Sequence, residues 1–180
     1  MPNRIQNILL VSSLYDSFIL AQDGQLNEVI LSEYLQLNLH HTPGLKRVST
    51  GTEALELAMG PRRWDLIITS MHVGDMNAPD LARRVNEAGL ATPVVLLAYD
   101  YRELREFVDR HDTSDLAGAF LWQGDVRILL AMVKHVEDRM NVAHDTGQLG
   151  VQAIIVIEDS IRYYSSFLPV IYTEVMNQSH

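Results

Sequence analysis

The chain has no cysteine, which excludes disulfides, thiolate catalysis and thiolate metal sites. It has no excess of positive charge either, since 14 basic and 23 acidic side chains give a formal net charge of −9. A nucleic-acid surface needs a concentrated positive field, so we expect no binding to nucleic acid. No apolar run approaches the roughly 18 residues that span a bilayer, and the N-terminal run is too short for a secretion signal. We therefore expect a cytoplasmic protein without a membrane segment.

Three patterns that are typical of catalytic or metal-binding proteins are also missing. No Gly-rich phosphate-binding loop of either standard form occurs. The seven histidines lack the i, i+4 spacing of a zinc-binding helix, so we expect them to be solvated. A serine hydrolase is not expected, because there is no Gly-x-Ser-x-Gly motif and His72, close to Ser70 in the sequence, has no obvious orienting acid. We predict that the chain is not an enzyme and holds no cofactor.

Short apolar runs alternate with longer amphipathic segments along most of the chain. The strand-like runs are 5–11, 45–48, 65–69, 93–99 and 117–122, and the helix-like segments are 25–39, 50–58, 78–89, 102–110 and 126–144. The second helix is predicted to start at Thr50, because Thr50 and Glu53 can satisfy each other's free backbone amides. Strands that are apolar on both faces fit a parallel sheet covered on both sides. The pattern predicts an α/β fold with a doubly wound, five-stranded parallel sheet of flavodoxin type.

The C-terminal part of the chain departs from this alternation. Residues 1–144 form the predicted domain, and the polar, Gly-containing stretch 145–150 is predicted to be a linker. Residues 151–180 then contain the apolar run AIIVI and a helix, which indicate one more β-α unit over 151–176. A single unit cannot bury its own apolar face, and its strand would leave an exposed edge. It must therefore dock on the first domain, pair with another chain, or begin a second domain.

The first 144 residues resemble the receiver domain of bacterial response regulators. The residues that carry the resemblance are NILLV, STGTEALELA, WDLIITSMHVGDM, TPVVLLA and AGAFLWQGDVRILLAMV. The resemblance implies a site at the carboxyl ends of the strands, where two acidic residues and an aspartate hold Mg²⁺. It also implies that this aspartate accepts the phosphoryl group, while a hydroxyl residue and a lysine bind the phosphoryl oxygens.

All five positions of that site differ in this chain. Ser12 and Ser13 stand at the acidic pair, and Ser70 stands at the phosphoacceptor. Ala98 stands at the hydroxyl position, and Gln123 stands at the lysine position. Neutral side chains give a divalent cation no charge to bind, and a serine without a base is a poor nucleophile at neutral pH. We expect a degenerate pocket, which would make the chain a pseudo-receiver.

Displaced carboxylates leave an alternative open, in which the chain is a working phosphorelay receiver that binds Mg²⁺. Asp16 and Asp23 in the long first loop could replace the acidic pair, and Asp75 could accept phosphate if its loop bent inward. The structural interpretation, without metal or phosphate binding, is that Asp23 and Asp75 form turns. Glu158 and Asp159 follow the AIIVI run and resemble an acidic pair, but a metal site there would need a third carboxylate.

A second resemblance concerns the extended first loop and the tail. These look like the N-terminal regulatory region of proteins related to pyruvate phosphate dikinase and phosphoenolpyruvate synthase. The resemblance implies that the chain is a regulatory fragment of a phosphotransferase that handles phosphoenolpyruvate or pyruvate. Residues 151–180 would then begin a second receiver-like domain.

The function expected from the sequence is signalling by protein–protein interaction, without phosphorylation. The expected partner surface is the helix 126–144, the helix 102–110 and the strand 117–122 between them, which such domains usually present to partners. The tail is a second expected interface, through which the chain would form a homodimer over 151–176. Its helix carries an apolar, aromatic stripe made of Tyr163, Tyr164, Phe167, Leu168, Ile171 and Tyr172.

Overall fold

Five parallel strands form the central sheet of the computed structural model, which describes residues 2–16, 32 and 42–178. The strands of this sheet are β1 (Asn7–Val11), β2 (Gly44–Val48), β3 (Leu66–Thr69), β6 (Val94–Ala98) and β7 (Gly118–Leu121). Their order across the sheet is β2-β1-β3-β6-β7, and every neighbouring pair is parallel. The predicted doubly wound parallel sheet is confirmed.

The five described helices are α1 (Gly51–Met59), α2 (Ala78–Glu87), α3 (Tyr101–Arg110), α4 (Arg127–Gln148) and α5 (Ile161–Gln178). Ser32 is helical, and the rest of the helix predicted at 25–39 lies outside the described residues. Helix α1 starts as predicted, since the Thr50 side chain accepts a hydrogen bond from the Glu53 amide at 3.2 Å. The Glu53 carboxylate accepts from the amide of Ser49, one residue before the predicted partner.

The central strands are buried on both faces, and this burial explains their continuous apolar sequence. Leu9 of β1 packs among residues of α1 and α2, whereas its neighbour Leu10 packs against α4. All residues of β3 and β6 are buried in the same way. These strands have no polar face, so helices must cover both faces of the sheet.

A short antiparallel ribbon follows β3, and the sequence analysis did not predict it. Its strands are β4 (His72–Val73) and β5 (Met76–Asn77), joined by a two-residue turn. Gly74 occupies the left-handed region at φ 66°, where a side chain would be strained. The turn expected near Gly74 is therefore present, and β5 leads directly into α2.

Two predictions about the C-terminal part are wrong. The stretch 145–150 is not a linker, because α4 continues without a break to Gln148. The run at 151–157 forms no strand, and all seven of its residues are exposed. A strand there would need a neighbour for its backbone groups, and no described strand of the sheet pairs with this run. The C-terminal element is thus an exposed segment followed by a helix, not a β-α unit.

Helix α5 packs on the first domain of its own chain. Leu168 on its inner side is buried in the core cluster that also contains residues of β7 and α4. Tyr164 and His135 of α4 share a hydrogen bond of 3.0 Å, and the Tyr172 hydroxyl donates to Asp138 at 2.6 Å. The sequence left three arrangements open for the C-terminal element, and its helix α5 docks on the first domain.

The described helices include none that is long and apolar enough to cross a membrane.

Candidate functional site

The carboxyl edge of the sheet brings together two of the predicted site residues. Ser12 follows β1 and Ser70 follows β3, and these strands are neighbours. The Ser70 amide donates to the Val11 carbonyl at 3.0 Å, while the Ser12 amide donates to Val48 at 3.1 Å. Both serines are buried, with only 5% of Ser70 exposed. The backbone ladder therefore places these two hydroxyl side chains at adjoining strand ends.

Asp16 contacts this site from the loop after β1. The Ser70 hydroxyl donates to the Asp16 carboxylate, with 3.0 Å between Oγ and Oδ2. Residues 14–16 are helical, and the Ser13 hydroxyl accepts from the Asp16 amide at 3.0 Å, as a residue that caps the start of a helix does. Ser13 is exposed, so its side chain stabilises the loop and lies outside the buried group. The sequence analysis considered that Asp16 could fold back towards the strand ends, and the structure places it there.

Tyr99 is a member of the site that the sequence analysis missed. It follows Ala98 at the end of β6 and forms a side-chain hydrogen bond with Ser70. Burial raises the pKa of Tyr99 well above its ordinary value, and the negative charge of Asp16 raises it further. The hydrogen bond to Ser70 opposes these effects only in part, so Tyr99 remains a neutral phenol. Ser70, Asp16 and Tyr99 are named the Ser70 cluster below.

Ala98 and Gln123 occupy the ends of β6 and β7, and neither contributes to the Ser70 cluster. Ala98 is fully buried and offers only a methyl group, while its carbonyl accepts from the Trp122 amide at 2.8 Å. The Gln123 amide nitrogen donates to the Arg162 carbonyl and to the Ser166 hydroxyl, both at 2.9 Å. The residue at the expected lysine position therefore binds the first turns of α5.

Asp75 points away from the Ser70 cluster and caps a helix instead. Its carboxylate accepts from the Gly51 and Thr52 amides at 2.8 and 3.1 Å, and it also binds the Thr52 hydroxyl. The Thr52 hydroxyl bond lowers the pKa of Asp75, and the two backbone amides lower it further. A carboxylate that satisfies the N-terminal amides of α1 is held by this helix. The idea that Asp75 accepts phosphate is thus inconsistent with its position.

The described residues of the site provide few ligands for a magnesium ion. A protein site for Mg²⁺ needs carboxylate oxygens, and Asp16 is the single carboxylate of the Ser70 cluster. Among residues 2–16, 32 and 42–178, no three acidic or histidine side chains are grouped so that they could hold a metal. Asp23 lies outside the described residues. Glu158 also binds locally, because its carboxylate accepts the Ser160 amide at 2.9 Å where α5 begins.

The geometry offers no nucleophile–base pair of the hydrolase type at Ser70. His72 turns to the surface, where its ring meets the edge of Phe107 with centroids 5.4 Å apart. His111 stacks on the same phenylalanine at 4.2 Å. The Ser70 hydroxyl therefore donates its proton to Asp16, a carboxylate, without an intervening imidazole.

Among the described histidines, His135 differs most from the solvated state expected for them. It lies between Phe120 and Tyr164, with ring centroids 5.6 and 6.0 Å away. Burial lowers the pKa of His135, and the positive charge of Arg139 adds to this effect. Asp138 acts in the opposite direction but more weakly. The neutral imidazole thus forms part of the interface between α4 and α5.

No model of a known protein family matches the sequence, and no curated protein matches it. Solved structures do match. One is the N-terminal domain of a response regulator/sensory box/GGDEF protein from Carboxydothermus hydrogenoformans, 19% identical, with a TM-score of 0.54. The alignment covers 77% of this chain and 98% of that one. A two-component response regulator from Clostridium difficile is 18% identical, with a TM-score of 0.53 over 76% of this chain and 98% of that chain.

The chain has a receiver-like fold. A third match is a redox sensor of the streptococci, described as evolved from two-component response regulators. It is 21% identical, with a TM-score of 0.54, and the alignment covers 84% of this chain and 58% of that one. At these identities the likeness concerns the fold.

Proposed function

We propose that this chain is a receiver-like signalling module that acts through protein–protein interaction and does not accept a phosphoryl group. The observation that carries the proposal is the hydrogen bond between Ser70 and Asp16 at 3.0 Å. Ser70 stands where the receiver resemblance implies an aspartate, and its hydroxyl engages Asp16, the carboxylate that the described part of the chain brings to this position. The proton of the buried Ser70 hydroxyl is engaged by the Asp16 carboxylate, and His72 lies against Phe107, so no described imidazole is placed to activate this serine as a nucleophile.

The Ser70 cluster has a structural role in this proposal. Asp16 joins the loop after β1 to the end of β3, and Tyr99 joins the same point to the end of β6. Three separate segments are thereby held together by side-chain hydrogen bonds. Such a network favours one conformation of the edge, since breaking any bond would leave a buried polar group without a partner.

The surface expected to bind partners is already partly covered by α5. This helix contacts α4 and β7, and Ile161 packs with residues of α3. The Arg162 guanidinium also lies over the Tyr101 ring of α3, 5.8 Å from its centroid. A partner would therefore meet α5 before it meets the surface predicted from the sequence. We propose that α5 and the segment before it form the interaction surface.

Exposure to small phosphodonors tests the proposal. The chain is incubated with acetyl phosphate and Mg²⁺, and separately with beryllofluoride and Mg²⁺, beside a receiver domain that has an intact acidic pocket. Intact mass and thermal unfolding are then measured. We expect no added phosphoryl mass and no shift in Tm for this chain, while the control domain responds. An acid-labile gain of one phosphoryl group would overturn the proposal.

The position of Asp16 favours one second candidate, a phosphorelay receiver that uses a displaced carboxylate. Asp16 is the carboxylate that reaches the strand ends, so it would be the phosphorylated residue. The variant Asp16→Asn separates the two candidates. If the wild-type chain gains phosphoryl mass and the variant does not, the second candidate replaces the first. The relation to phosphoenolpyruvate-handling proteins stays a prediction, which the coding sequence beyond residue 180 would test.

A further inference from the structure

Exposed apolar side chains are concentrated in the C-terminal part of the described chain. Of the fifteen large apolar residues that are exposed, ten lie between Leu149 and Val175. Ile155 is 80% exposed and Ile157 is 92% exposed. Single apolar residues on a surface are ordinary, but a contiguous group of this kind marks an interaction surface.

The segment 149–157, LGVQAIIVI, contains the most exposed part of this group and no ionisable side chain. It is named the apolar segment below. Beyond Gly150 it forms neither helix nor strand. Isoleucine and valine are residues that favour strands, because their branched side chains pack well on a pleated surface. The segment therefore has the composition of a strand and no strand neighbour among the described residues.

The outer side of helix α5 carries a row of apolar residues among polar ones. Tyr163, Phe167 and Val170 follow each other at helical spacing, and each is more than half exposed. The rings of Tyr163 and Phe167 stack with centroids 6.3 Å apart. Leu168, one residue further, is 3% exposed and belongs to the core. A row of exposed apolar residues along a helix marks a face that a partner normally covers, and no described residue covers this row.

We propose that a second copy of this chain covers the apolar segment and the outer side of α5, forming a two-fold symmetric homodimer. Each copy has a formal charge of −9, so two copies repel each other over most of their surface. The apolar segment is where this repulsion is smallest, because neither copy contributes a charge there. Two identical segments related by a two-fold axis perpendicular to them run antiparallel and can pair as strands.

The apolar area is large enough for a stable dimer. Covering the ten exposed side chains would remove on the order of 1,000 Å² per copy, at about 200 Å² for a fully exposed large side chain. A stable interface buries about 800 Å² on each partner. The segment cannot add to the carboxyl end of β7 instead, because the Leu121 amide there already donates to Ser165 of α5 at 2.8 Å.

Light scattering coupled to size exclusion, across a dilution series at micromolar protein, measures the oligomeric state. We expect twice the 20.4 kDa monomer mass, falling towards the monomer on dilution. Substituting Ile155→Lys should weaken the dimer at least tenfold, because it places a charge at the apolar contact. The control Met59→Lys alters a residue on α1 that is 56% exposed, and it should leave the mass unchanged. Circular dichroism checks that both variants are folded.

A cysteine trap locates the contact independently of the lysine variants. The natural chain has no cysteine, so Ile154→Cys introduces a single thiol into the apolar segment. Under mild oxidation it should form a disulfide-linked dimer within minutes, whereas Met59→Cys should remain monomeric on a denaturing gel. A monomer mass for the wild-type chain at every concentration, an open series of larger oligomers, or equal trapping at both positions would each overturn the proposal. None of these results depends on whether the chain accepts phosphate.

Discussion

The Ser70 cluster and the apolar segment differ in polarity, in burial and in the number of their contacts within the chain. At the Ser70 cluster, polar groups lie at the end of a buried sheet, and the Ser70 hydroxyl has two side-chain partners within the chain. In the apolar segment, isoleucine and valine side chains face solvent, and Ile157 is almost fully exposed. The first region has its interactions satisfied internally, whereas the second region has apolar surface without a partner.

This difference indicates where an external partner can bring the larger gain in free energy. A ligand at the Ser70 cluster would have to replace hydrogen bonds that already exist, so its net gain would be small. A protein that covers the apolar segment removes apolar surface from water, at about 25 cal/mol per Å². The tail is therefore the more favourable place for binding, although the resemblance to receivers directs attention to the pocket.

The largest effect should come from a pair of neighbouring residues on α5. Leu168→Ala removes a buried side chain from the core and should lower the free energy of unfolding by about 2–5 kcal/mol. Phe167→Ala, on the outer side, should cost less than about 1 kcal/mol in dilute protein. Urea denaturation monitored by circular dichroism measures both. Equal losses in the two variants would mean that α5 does not pack on its own domain as described.

A charge placed in the Ser70 cluster should have the next largest effect. Ser70→Asp puts a second carboxylate beside Asp16 in a buried position, so the pKa of the introduced carboxylate should rise. The folded state then binds more protons than the unfolded state, and stability falls as pH rises. We expect a loss of about 1–3 kcal/mol near pH ~8, corresponding to one or two pKa units, and a smaller loss near pH ~5.

Ser70→Ala is the matched control for this variant, and thermal unfolding at both pH values is the measurement. Ser70→Ala removes the hydrogen bonds without adding charge, so it should lower the free energy of unfolding by about 1 kcal/mol with little pH dependence. If Ser70→Asp is as stable as wild type at both pH values, Asp16 does not lie beside position 70.

The smallest effect should be a pH dependence at the contact between α4 and α5. The pKa of His135 is lowered in the folded state, so the unfolded state binds more protons as pH falls below the ordinary histidine value near 6.5. The wild-type chain should therefore lose stability between pH ~7 and pH ~5. In His135→Gln this slope should be shallower, as measured by urea midpoints at a series of pH values. An identical slope in both proteins would place the responsible group elsewhere.

Strand positions could be predicted well because burial on both faces requires a continuous run of apolar residues. The predicted runs at 65–69, 93–99 and 117–122 correspond to β3, β6 and β7 within two residues at each end. The apolar run at 151–157 has the same composition, and it was wrongly predicted to be a strand. Composition indicates that a segment can form a strand, but a strand also requires a neighbour for its backbone groups.

Helix ends were less predictable where local signals and packing disagree. The polar stretch at 145–150 contains Gly147, which favours an interruption, yet α4 continues through it. Buried contacts earlier in α4 hold the helix, since Glu137 accepts from the Ile5 amide at 2.9 Å and Asn141 binds Asn3. Continuation by a few residues then costs little, and this balance is not visible in a short window of sequence.

The membership of the site was only partly predictable. Ser12 and Ser70 lie at adjoining strand ends as expected, because parallel strands bring their carboxyl ends to one edge. Tyr99 was missed, although its place directly after Ala98 is a signal that could have found it. Gln123 was expected at the pocket, but its side chain binds α5, a contact that depends on where that helix docks.

The sequence by itself determined the layered α/β architecture, the order of most elements and the loss of acidic residues at the strand ends. These properties depend on local composition and spacing, which are present in the unfolded chain. Only the tertiary structure decided that Asp16 meets Ser70, that Asp75 caps α1, and that α5 covers part of the domain while the apolar segment stays exposed. Those outcomes depend on which distant groups find partners, and a residue's neighbours in space are set by the packing of the whole chain.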